Sequence, residues 1–134
     1  MLFDPNSDSQ LMNLLTENKS KIMETFMRIL DHISDKDYQM RIWIKGEGPE
    51  VDDFDETCCI FFGDGNPVLE NHKDYGITEN QYQTLKRFRD EFAAFCRGPA
   101  LIYYLPQEFI DTPEWTRITI LAKEVLISFD YSKK

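Results

Sequence analysis

Between Gly46 and His72 the chain has no lysine and no arginine. The same stretch carries eight acids: Glu47, Glu50, Asp52, Asp53, Asp55, Glu56, Asp64 and Glu70. The whole protein has 24 acids against 15 bases and a formal charge of −9, so this stretch supplies −8 of it and the remainder is close to neutral. Other scarcities narrow the function classes. No apolar run approaches the ~18–20 residues needed to cross a bilayer. The start, Met1-Leu2-Phe3-Asp4-Pro5, has neither a basic end nor an apolar signal core, so export by a cleaved signal peptide is not expected. A pI near 4.6 leaves no surplus of cations for nucleic acid or for anionic lipid.

Catalytic signatures are equally sparse. There is no glycine-rich phosphate loop, no nucleophile elbow and no zinc-type spacing of cysteine and histidine. Of the two histidines, His32 lies among Asp31 and Asp35 on a helical stretch and reads as solvated. His72 lies beside Asp74, and no spacing supports pairing it with Cys58 as a nucleophile. The three cysteines, Cys58, Cys59 and Cys96, are an odd number. Adjacent strand residues face opposite ways, so Cys58 and Cys59 are not expected to bridge, and packed reduced thiols of a cytosolic protein are the simplest reading. No cofactor is implied.

What is present describes one folded domain spanning residues 1–134, with ten Phe, six Tyr and two Trp to fill a core. Ser7 and Gln10 form a capping-box pattern. Apolar residues at helical spacing then predict a short helix near 8–16 and a longer one near 18–34, or one kinked helix. Met40, Ile42 and Ile44 alternate with Arg41, Trp43 and Lys45, which predicts a half-buried strand over 38–45. Thr57 to Phe62 is an unbroken apolar run and reads as a central strand. Gly63-Asp64-Gly65 is a tight-turn signal, with Pro67–Glu70 as a short edge strand.

Thr78 and Gln81 make a second capping box, with Ile77 and Tyr82 at the staple positions and Leu85, Phe88, Phe92 and Phe95 on the core face. Ala100–Leu105 reads as another strand. Thr112, followed by Pro113, caps a last helix whose stripe is Trp115, Ile118, Leu121, Ala122, Val125, Leu126 and Phe129. The order predicts an α+β fold: a small, mainly antiparallel sheet of three to four strands flanked by helices.

Within this scheme Glu47–Glu56 is an acidic loop. Asp52, Asp53, Asp55 and Glu56 are hard oxygen ligands, but the calcium-loop pattern fails because the sixth position from Asp53 is Cys58 and not glycine. Like charges so close repel one another, and a cationic partner would relieve that repulsion and be steered toward it. The alternative is that the acids only keep the protein soluble. Trp43, between Arg41 and Lys45 on the polar face of its strand, is expected to point outward unless a helix or the loop covers it, and Phe54 supplies an apolar anchor inside the loop. The predicted partner-binding set is therefore Trp43, Glu47, Glu50, Asp52, Asp53, Phe54, Asp55 and Glu56, with no catalytic or metal-ligating residue.

The concentrated acids of Glu47–Glu56, an outward Trp43 and the aromatic-headed last helix from Pro113-Glu114-Trp115 to Phe129 resemble the immunity proteins of bacterial polymorphic toxin systems, of the contact-dependent growth inhibition type. The resemblance covers the overall pattern and carries over no site residue. It implies a cytoplasmic protein, not an enzyme, that neutralises a cognate toxin domain, often a basic nuclease. An acidic DNA mimic or phage-type inhibitor of a defence nuclease and a metal-binding protein using the loop stand as alternatives.

Overall fold

The computed structural model describes residues 5–49 and 52–131, with side chains from Asn18 onward. Glu50 and Val51 lie outside the described residues, as do the side chains of Ser7 and Gln10 and of Leu11, Leu14 and Leu15. Among the described residues there is no β-strand, which overturns the α+β expectation: the fold is an assembly of helices. α1 runs Pro5–Ser34 as one helix and α2 is a single turn, Lys36–Tyr38. A π-helical stretch, Gln39–Ile44, follows. α3 spans Phe54–Glu70, a 3-10 turn occupies His72–Tyr75, and α4 spans Glu79–Arg97. The short α5 (Pro99–Tyr103) and α6 (Pro106–Phe109) lead into α7, Pro113–Ser128. α7 is packed between α1 and α4, and α3 lies against α1 and α4.

Each predicted strand became helix for a local reason. Over 38–45 the buried residues are Tyr38, Gln39, Ile42 and Trp43, a helical face and not an alternating one. Asp35 caps this segment by accepting from the Tyr38 amide at 3.1 Å. The bond from the Lys45 amide to the Met40 carbonyl (3.1 Å) is the i→i−5 contact that makes the stretch π-helical.

The presumed central strand, Thr57 to Phe62, lies inside α3. There Phe54, Thr57, Phe61, Gly65, Val68 and Leu69 are buried at helical spacing. Asp53 caps α3, accepting from the Glu56 amide at 2.7 Å, and Asp55 and Glu56 in the first turn complement the helix dipole.

Gly63-Asp64-Gly65 is not a turn. A Cβ on Gly65 would stand 2.7 Å from Cε1 of the fully buried Phe26 ring, so this glycine lets α1 and α3 approach closely. Pro67 lies within the last turns of α3, and the expected edge strand 67–70 is helix. Ala100–Leu105 is helix α5 and its exit.

Two long elements match expectation. Thr78 and Gln81 form the full capping box of α4, with Leu85, Phe88, Phe92 and Phe95 buried. Thr112 caps α7, with Pro113 in its first turn and Trp115, Ile118, Leu121, Ala122, Val125 and Leu126 buried. Their aromatic side chains meet in one cluster. Phe54 contacts Trp43, Phe92, Phe95, Phe109 and Trp115 edge-on, with ring centroids 4.9–6.3 Å apart.

A buried polar residue locks this core. The Gln39 amide nitrogen donates to the His32 carbonyl (2.9 Å) and the Ile33 carbonyl (2.8 Å), satisfying the C-terminal end of α1. Its oxygen accepts from the Trp115 indole at 3.0 Å. Gln39 thus ties α1 to α7 through the π-helical stretch.

Candidate functional site

The predicted acidic loop does not present itself as one surface. Asp52 has turned inward and its side chain is only 12% exposed. One carboxylate oxygen accepts from the Tyr38 hydroxyl at 2.9 Å and the Trp43 indole at 3.0 Å. The Thr57 hydroxyl lies 3.1 and 3.2 Å from the two oxygens. The His32 ring stacks on Tyr38 with centroids 3.8 Å apart, and its Nδ1 stands 3.9 Å from Asp52. Asp52 therefore joins α1, the π-helical stretch and α3, and His32 is packed here and not solvated.

The other predicted residues separate. Trp43 is 9% exposed and Phe54 is buried, so neither projects as a free anchor. The outward Trp43 expected from alternation is corrected by the helical geometry, which places it on the face that carries Gln39. Asp53 is exposed but is engaged as the α3 cap. Glu47, Asp55 and Glu56 are exposed. Glu56 faces a cavity of about 660 Å³ that Asp52 also lines, together with Arg28, Asp31, His32, Asp37 and Arg41, so both signs of charge are present. Glu50 falls outside the described residues.

Asp53 and Asp55 face a different opening, and it is here that the structure adds what the sequence reading missed. A groove of about 800 Å³ has Trp43 and Phe54 in its floor, the first turns of α3 on one wall and the 100–107 segment on the other. Asp53 and Asp55 are the charged residues of its lining; the rest is apolar, sulfur-bearing or neutral. Along the second wall the chain leaves large apolar side chains in solvent: Leu101 is 72% exposed, Tyr104 78% and Leu105 40%, and Ile102, outside the groove lining, is 80% exposed.

Tyr104 is held there by an unusual backbone. Its φ of 71° and ψ of −49° form a γ-turn, closed by the Leu105 amide donating to the Tyr103 carbonyl at 2.8 Å. A bulky residue with positive φ is strained, by about 1–3 kcal/mol, and such strain concentrates at functional sites. Read as a strand, Ala100–Leu105 would have turned alternate side chains inward, which hid the exposed ridge.

Two thiols lie beside the same floor. Sγ of Cys58 on α3 and Sγ of Cys96 on α4 are 3.7 Å apart, both half-buried, while Cys59 is exposed. Cys58 thus meets Cys96, and His72 stacks on Tyr82. Among the described residues no group of three His, Cys, Asp or Glu side chains is arranged to hold a metal ion. Among the described residues no helix is long and apolar enough to cross a membrane. Compared with protein-family models, curated proteins and solved structures, the chain finds no match in any of the three.

Proposed function

We propose that the protein binds and neutralises a cationic protein partner, in the manner of an immunity protein covering a cognate toxin domain in the cytoplasm, and that it docks through the groove between α3 and the 101–105 ridge. The observation that carries this reading is the ridge itself. Four large apolar side chains stand in solvent on one short segment, one of them in a strained turn, beside a groove whose charges are acidic. Contiguous exposed apolar surface rimmed by polar groups marks interaction sites. Tyr104 has the character of a hot-spot residue, rigid and amphipathic, and Leu101 and Leu105 extend the contact. Asp53 and Asp55, with Glu47 and Glu56 further out, supply the field that would steer a basic partner.

The division of labour differs from the one the sequence suggested. Affinity resides in the ridge, while the exposed acids act on the rate of encounter. Asp52, Trp43 and Phe54 support the groove from beneath.

The test uses the product of the neighbouring gene, co-expressed and then titrated against the purified protein. Tyr104→Ala and Leu101→Asp should each weaken binding at least tenfold, roughly the 1.4 kcal/mol or more expected of a hot spot. Asp55→Asn and Glu56→Gln should slow association and flatten its salt dependence while leaving dissociation nearly unchanged. Binding that survives both ridge substitutions intact rejects this surface. A neighbouring product that shows neither toxicity nor binding rejects the immunity reading.

A further inference from the structure

We propose that Cys58 and Cys96 form a peroxide-responsive dithiol, which closes to an intramolecular disulfide joining α3 to α4 at the floor of the groove. The geometry is already close. The two sulfurs belong to different helices, 38 residues apart in the chain, yet stand 3.7 Å from one another. A disulfide requires about 2.05 Å, so some 1.7 Å must close, shared between two side chains. Both thiols are partly open and both line the groove, which gives a small oxidant a way in. Cys59 is the more exposed thiol, but it sits about 100° further round α3 than Cys58.

The surroundings assign the two roles. The two sulfurs share one hydrogen-bonding contact in which either can donate, and that contact, with burial, raises the Cys58 thiol well above the usual range. The same bond, aided by the positive charge of Arg97, draws Cys96 below its ordinary value. Arg97, adjacent to Cys96 in the chain, favours the thiolate at that sulfur, so Cys96 is the one that meets the oxidant. Its sulfur attacks one oxygen of hydrogen peroxide, the O–O bond breaks, and the departing hydroxide takes a proton and leaves as water. Cys96 is now a sulfenic acid. Cys58 then gives up its proton and its sulfur attacks that of Cys96. The S–O bond breaks, the S–S bond forms, and the hydroxide leaves with that proton as a second water. Two thiols and one peroxide become one disulfide and two waters. Transient, sensing disulfides of this kind are the sort found in cytosolic proteins.

The pair stands whatever occupies the groove, and its test needs no partner. The folded, full-length protein is treated with a few-fold excess of hydrogen peroxide, its remaining thiols are blocked with a maleimide, and it is cut with trypsin without reduction. Cleavage places Cys58 and Cys59 on peptide 46–73 and Cys96 on peptide 90–97. The expected product is these two peptides joined, with fragmentation placing the bridge on Cys58 and the maleimide on Cys59. Cys59→Ser should leave the bridge in place. Cys58→Ser should abolish it and leave Cys96 as a sulfenic acid that dimedone traps. In urea the selectivity for Cys58 over Cys59 should vanish. Three blocked thiols after treatment, a bridge through Cys59 in the folded protein, or a preference for Cys58 over Cys59 that persists undiminished in urea would each overturn the proposal. Fragmentation of the wild-type peptide decides it even where a variant fails to fold.

Discussion

Replacing Asp52 separates a structural acid from a docking acid. In Asp52→Ala the Tyr38 hydroxyl, the Trp43 indole and the Thr57 hydroxyl lose a shared acceptor whose side chain is only 12% exposed. A stranded buried donor costs about 1–3 kcal/mol. The Thr57 hydroxyl escapes most of this, since it can turn to the Asp53 carbonyl at 2.9 Å. The indole has no alternative use for its single donor. A stranded indole, the lost charged hydrogen bond from Tyr38 and a small void therefore give an expected loss of about 3–5 kcal/mol, a large part of the 5–15 kcal/mol that stabilises a typical domain.

Asp52→Asn keeps the shape and one acceptor oxygen but removes the charge. Hydrogen bonds to charged groups exceed neutral ones by about 1 kcal/mol each, so two such bonds predict a loss of about 2 kcal/mol. Urea unfolding followed by tryptophan fluorescence measures both. At a slope of about 1.5 kcal/mol per molar, the alanine variant should lower the midpoint by about 2–3 M and the asparagine variant by about 1.3 M. Asp55→Asn, on the exposed first turn of α3, should stay within about 0.5 kcal/mol. Equal and small effects at 52 and 55 would refute the inward role of Asp52 and return it to the surface. The result also bears on binding work, because combined Asn substitutions at 52, 53 and 55 would confound partner loss with unfolding.

Two further substitutions probe the packing. Gly65→Ala forces a methyl against the buried Phe26 ring, and overpacking of this kind should cost about 1–3 kcal/mol, although alanine is the better helix former; a stabilised variant in the same unfolding assay would contradict the close approach of α1 and α3. Gln39→Leu removes the acceptor of the Trp115 indole and the donor to the end of α1, and should cost about 2–4 kcal/mol, with a change in Trp115 emission.

The parts that could be read in advance share a property: their signals are local. Thr78 with Gln81, and Thr112 with Pro113, cap their helices through contacts within one turn, and the apolar stripes behind them are long enough to show a 3.6-residue period. The central stretch fails on that criterion. Thr57 to Phe62 is apolar without interruption, and such a short run has no period of its own. Asp53-x-x-Glu56 ahead of it was a helix-start pattern, since an aspartate can cap as well as a serine, and it pointed to α3. Over 38–45 the alternation of Met40, Ile42 and Ile44 was genuine in sequence. It was overridden because Gln39 and Trp43, one helical turn apart, both find partners in the interior.

By itself, the sequence determined the charge asymmetry, the caps and stripes of α4 and α7, and the absence of a span long and apolar enough for a membrane, because each is a property of neighbouring residues. The tertiary structure decided what each acid does. Asp52 became an internal acceptor because three donors from distant turns converge on it, Asp53 became a cap, and Asp55 and Glu56 remained in solvent on different grooves. It also decided where apolar surface is left over. Leu101, Ile102 and Tyr104 are no more polar than the residues of the core, yet on the short α5 and its exit they stand in solvent.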